Sequence, residues 1–71
     1  MINHVLAKNV RKFRIMSGYS QVRLATLSGV NRKSIIEIEK ATANPSLYTL
    51  EDIAKCLDVS IIDLLTEGGT S

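Results

Sequence analysis

Ser20-Gln21-Val22-Arg23-Leu24-Ala25-Thr26-Leu27-Ser28-Gly29-Val30-Asn31-Arg32-Lys33-Ser34-Ile35-Ile36-Glu37-Ile38-Glu39 is the stretch that decides the fold. Ser20 is a good N-cap, and Val22, Leu24, Ala25 and Leu27 follow it at helical spacing. Asn31 is a second N-cap, and Ser34, Ile35, Ile38 and Glu39 run along the segment behind it. Between them stands only Leu27-Ser28-Gly29-Val30-Asn31, too short for the two helices to lie antiparallel. Gly29 can take the left-handed backbone that a sharp turn demands, and Val30 can plug the space between the helices. The crossing is therefore steep. The start of the second of these helices must project outward.

Outward from this pair, apolar spacing and caps predict three further helices. One precedes it, from about Asn3 to Ser17, with Val5, Leu6, Val10, Phe13 and Met16 near one face and Gly18 as its stop. After the polar stretch Ala41 to Pro45, another begins at Ser46, with Leu47, Leu50, Ile53, Ala54 and Leu57 as its buried stripe. The last opens at Ser60 with Asp63 three residues on, a box-like start, and turns Ile61, Leu64 and Leu65 inward. The chain thus reads as one all-α domain of five helices over residues 1–66, with a flexible tail, 67–71, that contains Gly68-Gly69. There is no internal repeat and no low-complexity linker.

Composition narrows the function classes. In 71 residues there is room for one small core, and with only Phe13, Tyr19 and Tyr48 as aromatics it must be aliphatic. No apolar run approaches the roughly 20 residues needed to span a bilayer. Met1-Ile2-Asn3-His4 lacks the basic-then-apolar order of a signal peptide. Cys56 is alone, so neither an intrachain disulfide nor a cysteine cluster for zinc is expected, and a reducing, cytoplasmic setting fits. Charge is sorted along the chain. Residues 1–40 hold eight basic residues against Glu37 and Glu39, a net +6, whereas residues 41–71 hold Lys55 against five acids, a net −4. A basic half joined to an acidic half can present one face to a polyanion, although solvated helix faces can also sort unevenly. No Ser, Cys or Lys has a visible base and orienter, and no carboxylates are spaced for a metal, so no enzyme activity and no cofactor are expected. His4, near a terminus, and Cys56, at a helical spacing that suits a small hydrophobe, carry no assigned role.

The steep pair is helix-turn-helix geometry, and specific residues resemble one family. Ser20 to Ala25, Ser28-Gly29-Val30-Asn31-Arg32-Lys33-Ser34-Ile35, Ile38-Glu39, Asn44-Pro45-Ser46, Leu50 and Leu57-Asp58-Val59-Ser60 look like the phage repressor/Cro helix-turn-helix family. The match runs from about Ala7 to Leu65. It implies a compact five-helix, lambda-repressor-like fold and a cytoplasmic, bacterial or phage-encoded transcriptional regulator. Such a protein binds a palindromic double-stranded operator as a homodimer, with its third helix in the major groove. Two positions depart from the family. Ala41 stands where glycine is common, so the third helix is expected to run on slightly rather than turn left-handed. Ile36 and Ile62 stand where polar residues are usual, as scattered exposed residues or as part of an oligomer contact.

The outward end of the third helix nominates Asn31, Arg32, Lys33 and Glu37 as base readers. Arg32 or Lys33 can donate to guanine O6 and N7, and Glu37 can accept from the cytosine amino group, although Lys33 could equally touch phosphate and Glu37 could equally pair with Lys33 or Lys40. Ser34 lies close to the same face. Gln21, at the start of the second helix, matches in the resemblance the glutamine that touches a phosphate and steadies the recognition helix. Lys40, Thr42 and Asn44 match positions that contact the DNA backbone, and Lys8, Arg11 and Lys12 extend the basic rim, with Lys8 also readable as solvated surface. Arg14 and Glu39 match an ion pair that ties the first helix to the end of the third. Ile62 and Tyr48 are candidates for the dimer contact. The rival readings are an antitoxin-like module whose main partner is a regulatory protein, and an RNA binder. The latter is disfavoured because no exposed aromatic platform is legible.

Overall fold

In the computed structural model, which describes residues 2–67, with the side chain of Ile2 left out, each helix after the first begins on a cap read from the sequence. Ser20 Oγ accepts from the Arg23 amide at 3.0 Å and opens α2, Gln21–Ser28. Asn31 Oδ1 accepts from the Lys33 amide at 2.8 Å and opens α3, Arg32–Glu39. Ser46 Oγ accepts from the Thr49 amide at 3.2 Å and opens α4, Leu47–Leu57. Ser60 and Asp63 exchange both bonds of a capping box, each 3.0 Å, and open the five-residue α5, Ile61–Leu65. Each satisfies an amide that the helix itself leaves orphaned. The first helix, α1, runs Ile2–Met16. Among the described residues there are five helices and no strand, and none of the helices is long and apolar enough to cross a membrane.

One aliphatic core unites the helices. Leu6, Val10 and Phe13 of α1 meet Leu24 and Ala25 of α2, Ile35 and Ile38 of α3, Leu50, Ile53, Ala54 and Leu57 of α4, and Leu64 of α5. Several expected core positions lie outside it. Leu47 is 66% exposed, because it is the first residue of α4 and no helix covers that turn. Met16 is 72% exposed, at the edge of the α1 stripe and on the helix's last residue. Val22 and Leu27 are about half exposed; the eight-residue α2 buries only the adjacent pair Leu24 and Ala25.

The end of α3 also differs from expectation. The helix does not run on: it stops at Glu39, and Ala41 takes a left-handed φ of 61° despite its Cβ. Three hydrogen bonds hold the turn. The Ala41 amide donates to Ile38 O at 3.0 Å, the Thr42 amide to Glu37 O at 3.0 Å, and Thr42 Oγ1 to the same carbonyl at 3.2 Å. The two amide bonds are the Schellman pattern, and the added hydroxyl helps offset the strain of a non-glycine residue there. Gly29, at φ 74°, makes the turn between α2 and α3, its amide donating to Ala25 O at 2.9 Å. Ile36 is half-buried and Ile62 is 75% exposed. Of the expected tail, residues 68–71 lie outside the described residues.

Asn9 was not anticipated by any cap or stripe. It is buried among the apolar residues of α1, and its Nδ2 donates toward three carbonyls, Thr66 O at 2.8 Å, Leu64 O at 2.9 Å and Asp63 O at 3.2 Å. A side chain of α1 thus caps the C-terminal end of α5, whose last carbonyls no further turn of helix satisfies.

Candidate nucleic-acid interface

The surface around α3 follows from which of its side chains the core takes. Ile35 and Ile38 are fully buried and fix the roll of the helix. The opposite side then belongs to its first turn, where Asn31, Arg32 and Lys33 are exposed, while Ser34 and Glu37 are half-buried flanks. Asn31 carries two demands, since its Oδ1 already holds the Lys33 amide. Its Nδ2 remains free to donate outward, so it can serve as a single donor without opening the cap. Arg32 and Lys33 have no competing ion pair among the described residues, and both side chains are exposed.

A buried polar cluster braces the other end of α3. Arg14 grips the Glu39 carboxylate with a fork, Nε to Oε2 at 2.7 Å and Nη2 to Oε1 at 3.0 Å, and its Nη1 donates to Tyr19 O at 2.9 Å. Gln21 Nε2 donates to Glu39 Oε1 at 3.2 Å. The side chains of Arg14 and Glu39 are only 13% and 5% exposed. Three elements therefore meet at one carboxylate, α1, the first residue of α2 and the last residue of α3, and Arg14 ties in the turn after α1 as well. Charge-assisted bidentate bonds of this kind fix orientation as well as adding energy. Gln21 spends one amide hydrogen on this brace.

Beyond α3, Lys40, Thr42 and Asn44 are exposed, Lys40 as the C-cap residue and Thr42 with its hydroxyl tied back to Glu37 O. Lys8, Arg11 and Lys12 are exposed on α1, with Lys12 Nζ 5.4 Å from the centre of the Phe13 ring. Tyr48 and Ile62 are exposed on α4 and α5. His4 is exposed, and among the described residues no group of His, Cys, Asp or Glu is gathered to hold a metal. Cys56 is half-buried against the core, and burial pushes its thiol above the ordinary cysteine range, the reverse of what a nucleophile needs. The arrangement offers a basic, donor-rich edge of a rigid helix. Nothing in it supplies a general base beside a nucleophile.

The sequence model of a family described as helix-turn-helix matches residues 10–64. The chain belongs to the helix-turn-helix family. Within it, the chain is 41% identical over 68 residues to control protein C.SmaI of Serratia marcescens, covering 96% of this chain and 81% of that protein. The crystal structure of the hypothetical transcription factor NHTF from Neisseria superposes with a TM-score of 0.91 at 34% identity, covering 94% of this chain and 77% of that one. The restriction-modification controller protein C.AhdI from Aeromonas hydrophila superposes with a TM-score of 0.83 at 31% identity, covering 87% and 94%. These relatives carry the descriptions of a control protein, a hypothetical transcription factor and a controller protein, and this chain is a helix-turn-helix transcriptional regulator. The repressor-like resemblance read from Ser20 to Ser60 and the five-helix fold both hold.

Proposed function

We propose that this protein is a sequence-specific transcriptional regulator that binds a palindromic double-stranded operator as a homodimer, with α3 in the major groove. The observation that carries the reading is the exposed first turn of α3, Asn31 to Lys33, on a helix locked by Ile35 and Ile38 beneath and by the Arg14–Glu39–Gln21 cluster behind. A rigid helix end with outward donors suits the reading of base edges. Arg32, with Lys33 beside it, donates to guanine, Asn31 donates singly, and Glu37 accepts from cytosine. Gln21, Ser34, Lys40, Thr42 and Asn44 position the protein on the backbone. Ile62 and Tyr48, 75% and 81% exposed, supply apolar area for the dimer contact. Two subunits then read half-sites roughly 10 base pairs apart, or a multiple of that. The gene served is one of restriction-modification control, as the description of C.AhdI as a restriction-modification controller protein suggests.

Selection of bound sequences from a random duplex pool tests binding, specificity and palindromy together. A pseudo-palindromic consensus is expected. Arg32→Ala should flatten the preference at one position of each half-site, at a cost of about 1–3 kcal/mol in discrimination. Lys40→Ala should weaken all sequences alike and reduce the log–log salt slope by about one. If both variants gave the same uniform loss, the division into reading and positioning residues would be wrong. Binding that scarcely responds to salt would instead favour a protein partner.

A further inference from the structure

Beside α1, an open depression of about 360 Å³ lies between that helix and the end of α3. Its rim carries His4, Lys8, Arg11 and Lys40, and its floor includes Ala7 and Ala41. The α1 members are one helical face, since positions 4, 8 and 11 are spaced by four and three. Lys40 joins them from the C-cap of α3, which ends beside α1. The four rim side chains make no hydrogen bond or ion pair with other described residues. Glu39 also lines the depression, but its carboxylate is already gripped by Arg14 and Gln21 and is 5% exposed. Three unspent cations and an imidazole therefore face one hollow with a bottom of small side chains. Like charges gather at such a cost only where an anion or open water relieves them.

We infer that this hollow seats a DNA backbone phosphate next to the stretch covered by α3, with Lys8, Arg11 and Lys40 as its cationic contacts and His4 as a further donor. The inference rests on the operator-binding reading and extends it from the helix-turn-helix pair to α1. The anion is a phosphate of the same duplex rather than a free phosphoester, for two reasons. The hollow is open to solvent, and the one buried polar side chain on its lining, Glu39, is an acid already held by Arg14 and Gln21, so it does not select a small anion. It also shares Lys40 with the loop, Thr42 to Asn44, that lies along the backbone in that reading. Lys8 and Arg11 thus add affinity without adding sequence preference.

The test uses the whole chain, a duplex carrying the selected operator, and the double variant Lys8→Gln with Arg11→Gln. Both residues are exposed, so the variant should melt with the parent. Its log–log salt slope should fall by about 1.8 per subunit if each cation neutralises one phosphate, with the base preference unchanged. A duplex in which single flanking phosphates are replaced by neutral methylphosphonates should, at one position per half-site, bind parent and variant alike. An unchanged slope with intact operator binding would overturn the phosphate seat and leave the operator reading standing. If the parent chain selects no duplex at all, both fall together. Titration with inorganic pyrophosphate, followed by amide shifts at His4, Lys8, Arg11 and Lys40, should show only weak, non-saturating changes; tight saturable binding would assign the hollow to a free anion instead.

Discussion

Ala41→Gly should stabilise this protein, although it removes a methyl group and adds no contact. Ala41 sits at φ 61°, where the Cβ of an L-residue crowds the following carbonyl at a cost of roughly 1–2 kcal/mol. Glycine relieves that cost but brings extra freedom to the unfolded chain, worth roughly 0.5–1 kcal/mol in the other direction. The hydrogen bonds of the turn involve the backbone of Ala41 and Thr42 and the Thr42 hydroxyl, none of which the substitution alters. The net gain is therefore about 0.5–1 kcal/mol. For a domain of this size a change of 1 kcal/mol moves the melting temperature by roughly 4–8 °C, so Tm should rise by about 2–8 °C. Urea unfolding should show a higher midpoint at an unchanged m-value. Ala54→Gly is the control, because Ala54 is buried in the interior of α4 and the same exchange there should lower stability by about 1 kcal/mol or more. An Ala41→Gly variant that melts at or below the parent temperature would refute the strain account of this turn.

Three further outcomes are expected. Arg14→Ala strands the nearly buried Glu39 carboxylate and should cost about 3–5 kcal/mol, seen as a large fall in Tm that exceeds any loss in DNA affinity of the molecules still folded; an unchanged melt would count against the brace. Asn9→Ala strips the donors from the carbonyls of Asp63, Leu64 and Thr66 and should cost about 1–3 kcal/mol, with amide exchange quickening first in α5; a uniform rise across all helices would show that α5 does not depend on this cap. With its thiol pushed upward by burial, Cys56 holds less thiolate than a free cysteine at neutral pH, so iodoacetamide should modify the folded protein more slowly than the urea-unfolded chain, with the gap narrowing as pH rises; equal rates at pH 7 would contradict the half-buried placement.

Much of the candidate surface was legible because its determinants are local. The N-caps Ser20, Asn31, Ser46 and Ser60 act on amides two or three residues away, and the stripe Ile35–Ile38 points Arg32 and Lys33 outward by helical geometry alone. The Arg14–Glu39 pair spans 25 residues and was accessible only through resemblance, not through spacing. The resemblance gave Gln21 as a residue that steadies α3 but not the Glu39 carboxylate as its partner, and Asn9 was missed. A signal for Asn9 did exist: it is a polar residue between Leu6 and Val10 on an otherwise apolar face, which calls for a hydrogen-bonding partner.

By itself, the sequence determined the five helices, their starts, the steep bend at Gly29 and the family, since each follows from neighbours along the chain. Only the tertiary structure decided that Leu47 and Met16 stay in solvent, that Ala41 bends left-handed, and that Lys40 joins His4, Lys8 and Arg11 around one hollow. The physical reason is coverage. Periodicity tells which side of a helix is apolar, but whether another element lies over a given turn depends on where the whole chain has gone.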